Sequence, residues 1–441
     1  MLDVATPAAA QARRPERVVV VLLDDVGVDK VAAYGLHPTA GPTPVLDALA
    51  RQGVLFSNAY ADPLCSPTRC AALTGLYGSR TGIGTGVQHY GPEPGAFAPS
   101  DELPWLPRLL ARAGLRSTAV GKWHLTHVDV PAYQQHPIRA GFSRFAGALA
   151  NLSGVQSYNS WVRTYADGFS YGESTSTTYA TLQQAFDGLE SLRGPARFTW
   201  LAFNAPHAPW NQPPAGYFTP VGSLPPPPKQ QQMVLEATDT ILGMLLEAWA
   251  AESPVEASRT LWIVMGDNGT PAAAIEPPFS SLHSKSTVYQ GGVHVPLIVF
   301  GAGVDEPGRT CDQLVHAVDL WATVLELLGV QPPPGPTDSR SFAPVLWDAG
   351  APPARESVYV RTHAPNGFGP YNSRSQAATD GRWKLIEAST QSGGSAFELY
   401  DLSADPLEAA NLWPPDTGPE RAAAADLEAV LQAGDQSSPQ P

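Results

Sequence analysis

The sequence predicts an α/β fold: a large, mostly parallel (mixed) sheet sandwiched by helices, with a smaller C-terminal antiparallel-sheet subdomain. Three observations lead there. "RVVVVLLDD" at 17–25 is a continuous apolar run, the mark of a strand buried on both faces, and it ends in two aspartates. Strand-like runs then alternate with helical ones as far as Pro344, which argues for a sheet covered on both sides. Beyond Pro344 come short strand-like runs separated by turn residues. Hydrophobic residues make up 43% of the chain, ample for such a core, and charged residues only 15%, which excludes a disordered chain.

After the first strand, "TPVLDALARQG" reads as a helix with an apolar face and a glycine stop. "LPWLPRLLARAG" and "RSTAVGKW" are helix then strand, and "ARFTWLAFNAPH" is a strand running into a polar turn. "PPPP" at 225–228 reads as a stiff linker inside a loop, and "QQMVLEATDTILGMLLEAWA" as a long amphipathic helix. "RTLWIVMGDNG" is a strand ending in Asp-Asn-Gly, "VPLIVFGAG" another strand, and "LVHAVDLWATVLELLG" a helix. "SVYVRT", "QAATDGRWKLIEA" and "FELYDL" are the short C-terminal strands, with Asp380-Gly381 as a hairpin turn. The resulting segments are a flexible N-terminal stretch (1–16), the α/β domain (17–345), the C-terminal subdomain (346–413) and a loosely held tail (414–441).

The net charge of −14 argues against a nucleic-acid partner, since phosphate binding needs a basic surface. No apolar run approaches the roughly 20 residues of a membrane span. Three cysteines do not make a disulfide framework, and whether Cys70 and Cys311 pair stays open. The N-terminus lacks the apolar stretch of a signal peptide, so the compartment is open too.

In open α/β sheets, ligands gather at the carboxyl ends of strands. Asp24 and Asp25 follow the first strand, Asp267 and Asn268 follow "LWIVM", and His207 follows "WLAFNAP". Four hard oxygen donors from two strand ends suit Ca²⁺ or Mg²⁺, although either pair alone would serve as a helix cap or turn. In "PLCSPTRCAALTG", Pro67 suits the first turn of a helix, so Cys65 stands at a helix N-terminus, where a thiol's pKa falls. Arg69 is placed to reach back toward Cys65. Lysine is scarce, with five in the chain, yet Lys122 sits two residues from His124 and Lys285 two from His283, ahead of the pair Gly291-Gly292. A lone lysine or histidine is usually solvated or structural; these groupings lean the other way.

Together these residues resemble the sulfatase family, of the arylsulfatase or N-acetylgalactosamine-4-sulfatase type, within the alkaline-phosphatase-like superfamily. The resemblance runs from "LLDDVG" through "NAPHAP" and "GDNG" to "LYDLSADPLEAANL". Its most specific motif is Cys-x-Pro-Ser/Thr-Arg, here Cys65-Ser66-Pro67-Thr68-Arg69 followed by "ALTG", which marks the cysteine for oxidation to formylglycine by a separate maturation enzyme. The resemblance implies a sulfuric ester hydrolase acting on a sulfated small molecule or sugar. Asp24, Asp25, Asp267 and Asn268, with residue 65, would hold Ca²⁺, with Mg²⁺ as the alternative. Residue 65, as formylglycine hydrate, would attack sulfur. Arg69 would steady the hydrate, Lys122 and Lys285 would grip sulfate oxygens, His124 would contact the hydrate, and His207 would protonate the leaving oxygen. Family habit points to a periplasmic or secreted location.

The family often has Glu-Gly-Gly-x-Arg-Val-Pro where this chain has Gln290-Gly291-Gly292-Val293-His294-Val295-Pro296, which predicts altered contacts around the site or substrate with the chemistry retained. Two further readings compete: a formylglycine-dependent phosphate or phosphonate ester hydrolase, and a sulfatase-like binding protein without catalysis. A nucleotide-binding α/β protein is disfavoured, because Asp-Asp stands where Gly-x-Gly-x-x-Gly would follow the first strand. The loops "TGVQHYGPEPGAF" and 151–180 are expected to choose the substrate; Tyr158, Trp161, Tyr165 and Tyr171 in the second would suit a sugar.

Overall fold

The computed structural model describes residues 14–38, 40–90, 97–152, 156–220, 225–389 and 394–435. The strands are β1 (Arg17–Leu23), β2 (Val54–Phe56), β3 (Ala59–Tyr60), β4 (Ser117–Lys122), β5 (Arg144–Ala148), β6 (Trp161–Asp167), β7 (Tyr171–Ser176), β8 (Phe198–Ala202), β9 (Thr260–Gly266), β10 (Leu297–Gly301), β11 (Arg309–Cys311), β12 (Val315–His316), β13 (Val358–Ala364), β14 (Ser373–Thr379), β15 (Trp383–Ser389) and β16 (Ser395–Asp401). A ten-stranded sheet runs β11-β2-β10-β9-β1-β8-β4-β5-β6-β7. Its centre, β9-β1-β8-β4-β5, is parallel, and antiparallel pairs enter at β10 and at β6–β7.

β1 lies at the middle of this sheet and is buried along its whole length. Strand alternation sends Val18, Val20 and Leu22 into one core and Val19, Val21 and Leu23 into the other. Among the helices, α1 (Pro44–Gln52), α4 (Ala180–Arg193) and α5 (Pro227–Glu252) cover the second face, while α2 (Cys65–Thr74), α3 (Leu106–Arg112) and α6 (Leu320–Leu327) cover the first. No helix among the described residues is long and apolar enough to cross a membrane.

Three expectations change. Within 151–180, read as a loop, β6 and β7 extend the sheet as an antiparallel hairpin. Its outer strand β7 is almost wholly exposed, so it lacks the apolar alternation that marks a strand. Within "PPPP", Pro227 and Pro228 open α5, where a missing N–H costs nothing. In the tail expected to be loose over 414–441, α7 (Gly418–Asp435) packs Ala424, Leu427 and Leu431 against the C-terminal sheet β13-β14-β15-β16. The Ala-rich sequence is a good helix former with an apolar stripe. Residues 1–13 of the N-terminal stretch, 91–96 and 153–155 of the two substrate loops, and 436–441 lie outside the described residues.

Candidate active site

The carboxyl ends of four central strands converge. Asp24 and Asp25 leave β1, Asp267 and Asn268 leave β9, His207 follows β8, and Lys122 ends β4 with His124 just beyond. Cys65 opens α2, which points its N-terminus into the same space. These residues are brought together, with Arg69 and Lys285 joining them, whereas His283 stacks on Tyr289 outside the cleft, ring centroids 3.8 Å apart.

The carboxylates are crowded and deeply buried. Asp25 N donates to Asp267 Oδ1 at 3.2 Å, and Asn268 Nδ2 donates to Asp25 Oδ1 at 2.9 Å. Lys285 Nζ lies 2.5 Å from Asp25 Oδ1, and Lys122 Nζ is in contact with Asp24 Oδ2. Burial and the neighbouring Asp267 push Asp24 up to about 7, whereas Lys285 and His207 outweigh burial at Asp25 and hold it well below the carboxylate range. Asp24 Oδ1 and Asn268 Oδ1 are buried with no hydrogen-bond partner. Such orphaned acceptors are rare in native interiors and require an explanation. Ligand atoms of Asp24, Cys65 and Asp267 lie within 4.8 Å of one another, as do those of Asp24, Asp25 and His207. Unpaired hard oxygens in an acid-rich nest fit a divalent cation.

Arg69 lies close enough to Cys65 to interact with it electrostatically, but its hydrogen bonds go elsewhere. It is fully buried, and its Nε and Nη2 donate to Asp267 Oδ2 at 3.0 and 2.7 Å, with Nη1 donating to the carbonyl of Lys122 at 2.8 Å. It thus ties the β9 and β4 strand ends together beneath the cysteine. Cys65 Sγ lies 3.1 Å from His124 Nδ1. The helix terminus does not lower this thiol: burial dominates and pushes it up, with Lys122 and Lys285 opposing. Burial likewise holds His124 well below its usual range and His207 near 4, although Asp25 pulls His207 upward. His207 Nδ1 is 2.6 Å from the carbonyl of Ala208, which fixes a proton there and turns Nε2 toward Asp25 Oδ2 at 3.7 Å.

The backbone is strained where these groups are aimed. Asp25, His124 and Ser286, which adjoins Lys285, have φ of 69°, 59° and 77°, a region non-glycine residues rarely occupy. The glycine pair acts as expected: a Cβ on Gly292 would lie 2.1 Å from the carbonyl oxygen of Thr287.

Three supports escape a sequence reading. Gln231 Nε2 donates to the carbonyl of Asp25 at 2.7 Å, the Tyr158 hydroxyl lies 2.7 and 2.8 Å from the carbonyls of Asn204 and His207, and the Thr270 carbonyl accepts from Lys285 N at 2.9 Å. Nothing in their local sequence marks them except, for Thr270, its place beside "GDNG". Tyr158 and Trp161 are 1% exposed and so form no sugar platform.

Above Cys65 opens a cleft of about 780 Å³ lined by Thr85 to Tyr90, His124, Asn151 and Lys285 on one side and by Thr362, Ser373, Arg374 and Ser375 of the C-terminal sheet on the other. Gln290 and His294 do not reach it. They bond to Tyr60 Oη at 3.3 Å and to the Ser57 carbonyl at 2.8 Å, away from the substrate side.

This geometry has counterparts. The sulfatase family model matches residues 16–330, and that for the C-terminal region of N-sulphoglucosamine sulphohydrolase matches 280–432. The chain belongs to the sulfatase family. This sulfatase-family chain is 31% identical over 363 residues to dog (Canis lupus familiaris) N-acetylgalactosamine-6-sulfatase, covering 76% of this chain and 66% of that one. It is 32% identical to the human enzyme of the same name, covering 74% and 64%, and 27% identical to Bos taurus arylsulfatase A, covering 93% and 86%. It thus spans just under two thirds of the N-acetylgalactosamine-6-sulfatases. The same fold is seen in Ps i-CgsB, with a TM-score of 0.77, 22% identity, and 97% of this chain and 94% of that chain covered. It is seen also in BT4656, solved in complex with its substrate D-glucosamine-2-N,6-O-disulfate, with a TM-score of 0.72, 20% identity and coverage of 96% and 98%. Both likenesses speak to the fold.

Proposed function

We propose that this protein hydrolyses sulfate monoesters carried on sugars, using Cys65 matured to formylglycine and a divalent cation held by Asp24, Asp25, Asp267, Asn268 and residue 65. One observation carries the reading: the two orphaned oxygens of Asp24 and Asn268 lie in a nest that also collects Lys122, Lys285, His124 and Cys65. As encoded, the thiol at 65 is buried and its pKa raised, so it is a weak nucleophile. Formylglycine, once hydrated, would supply an attacking oxygen and a second hydroxyl through which sulfate can depart, and the cation would offset charge on the sulfate oxygens.

The chain's own residues do the rest. Lys285 lines the cleft over residue 65, Lys122 is buried beside it against Asp24, and the two would bind sulfate oxygens as negative charge spreads over them in the transition state. Arg69 keeps Asp267 and the Lys122 backbone in register. His124, neutral through burial, takes or returns a proton at the residue-65 oxygen through Nδ1. His207 would serve the leaving oxygen from Nε2 only in its doubly protonated form, because its Nδ1 proton is held by the Ala208 carbonyl; burial opposes that form and Asp25, 3.7 Å from Nε2, favours it. The cleft lining of Thr85, Gln88, Asn151, Ser286, Thr362, Ser373 and Ser375 is rich in hydroxyls and amides, which supports a sugar over a flat apolar phenol or sterol. The names of the N-acetylgalactosamine-6-sulfatase relatives point the same way.

The test compares turnover of 4-nitrophenyl sulfate, 4-nitrophenyl phosphate and N-acetylgalactosamine 6-sulfate by protein co-expressed with a formylglycine-generating enzyme. Sulfate cleavage that stops with a chelator and returns with Ca²⁺ or Mg²⁺ is expected. Preference for the phosphate would move the chain to the phosphoester branch, and no turnover by fully matured protein would leave a binding protein.

A further inference from the structure

The cleft above Cys65 contains one cation that the sulfate chemistry leaves unused. Among the described residues, its lining includes Lys285 and Arg374 and no carboxylate, in a chain whose net charge is −14. Lys285 belongs to the sulfate end. Arg374 comes from the other module, on β14 between Ser373 and Ser375, which line the cleft with it. Two carboxylates hold its fork. Nη1 donates to Asp435 Oδ2 at 2.7 Å, and Nη2 to Glu387 Oε1 at 3.4 Å. Glu387 is already engaged by Gln376 Nε2 at 2.8 Å and by Ser395 Oγ at 2.5 Å. Asp435 ends α7, is 35% exposed, and is shared with Arg361. The pair is half-buried, and Asp435 keeps Arg361 as a partner, so an anion that also fills the cleft can take its place on Arg374 without leaving the carboxylate unpaired.

We propose that Arg374 forms a second anion subsite, receiving a carboxylate or a second sulfate of the sugar whose first sulfate is presented to residue 65, with Asp435 as the carboxylate that the ligand displaces. The proposal rests on the reading of the substrate as a sugar sulfate. Chemically it asks for a planar fork meeting a carboxylate or sulfate two oxygens at a time, which is what arginine does better than lysine. Mechanically it makes the substrate span both modules, with Lys285 on the main domain and Arg374 on the C-terminal sheet.

Calorimetric binding to the Cys65→Ala chain removes hydrolysis from the readout. The probes are N-acetylgalactosamine 6-sulfate, its 4,6-disulfate, and the 6-sulfate linked to glucuronic acid. The second anion is expected to tighten Kd about tenfold, and the two dianionic probes show whether sulfate or carboxylate is preferred. Adding Arg374→Ala should erase that ratio, Arg374→Lys should restore part of it, and Asp435→Asn should enlarge it severalfold. Equal Kd values for all three probes, or an Arg374→Ala loss that is the same for mono- and dianions, overturns the subsite. If the alanine variant folds poorly, the Asp435→Asn ratio decides alone. Selective binding by a matured chain that turns over no sulfate ester would instead overturn the hydrolase reading and keep the subsite.

Discussion

Two buried ion clusters in this molecule look alike in composition and differ in what they leave unsatisfied. At Asp319 and Arg355 the account closes. Arg355 Nε donates to Asp319 Oδ2 at 2.7 Å and Nη2 reaches Oδ1, while the backbone N–H groups of His316 and Arg340 fill the same carboxylate at 2.8 and 2.7 Å. Asp319 keeps ordinary helical backbone at φ −73°. At the strand ends, three aspartates meet Arg69, Lys122 and Lys285, yet Asp24 Oδ1 and Asn268 Oδ1 have no partner and Asp25 and His124 sit at positive φ. Buried charge alone is weak evidence of function, because a pair that satisfies itself is simply structure. Orphaned acceptors on a strained backbone mark a place kept open for something else.

The comparison can be broken at either end. The largest effect is expected at residue 65: Cys65→Ala should lower turnover of 4-nitrophenyl sulfate by about 10³-fold or more, with the melting temperature held. Unfolding and no loss of activity would be the opposite result. Arg355→Ala should do the reverse, costing about 3–5 kcal/mol in urea unfolding by leaving Asp319 buried and unpaired, while turnover per folded molecule persists. A wild-type-like midpoint would show that this pair is not structural. The open cluster should respond to cation. Ca²⁺ at one hundred times its Kd should stabilise the wild type by about 2.7 kcal/mol, whereas Asp24→Asn, which relieves the crowding with Asp267, should hold its cation-free stability and lose the response. A calcium shift of equal size in both proteins would contradict the assigned ligands.

The smallest effect concerns protons. Burial pushes His136, which accepts from Trp123 Nε1 at 3.0 Å, down to about 4. The unfolded chain takes up this proton near its usual pKa of about 6.5, so the unfolded state binds more protons and stability falls as pH drops through that window. From pH 7 to pH 5 the loss is about 2 kcal/mol. Asp62 and Asp239, raised to about 7 and about 6, work in the opposite sense. The measurement is therefore the difference between wild type and His136→Gln. Parallel pH profiles would remove His136 from the account.

What the sequence made legible was local. An apolar run ending in two aspartates reads as a central strand because burial on both faces permits nothing else, and the residue types at Asp24, Asp25, Asp267 and Asn268 announce hard-cation chemistry wherever they meet. The rest depended on tertiary placement. Arg69 was placed near Cys65 by its spacing, but its hydrogen bonds to Asp267 and to the Lys122 carbonyl needed the fold, since spacing along a helix gives a radius and no direction. β7 was invisible because its pairing supplies what its exposed side chains do not. The contribution of β13 and β14 to the cleft needed the docking of the C-terminal sheet, carried by contacts such as Val358, Val360 and Ile386 with Tyr60, Val288 and Val293. Cys65 illustrates both sides: its place at a helix terminus was readable, and the burial that raises its pKa was not.

The most direct test is to prepare this protein with graded amounts of a formylglycine-generating enzyme, and to measure by peptide mass spectrometry the fraction of residue 65 converted alongside the 4-nitrophenyl sulfate kcat with Ca²⁺ present. The account predicts that kcat rises in proportion to that fraction and extrapolates to zero for unconverted Cys65. Full activity with Cys65 intact, or no activity at complete conversion, would contradict it.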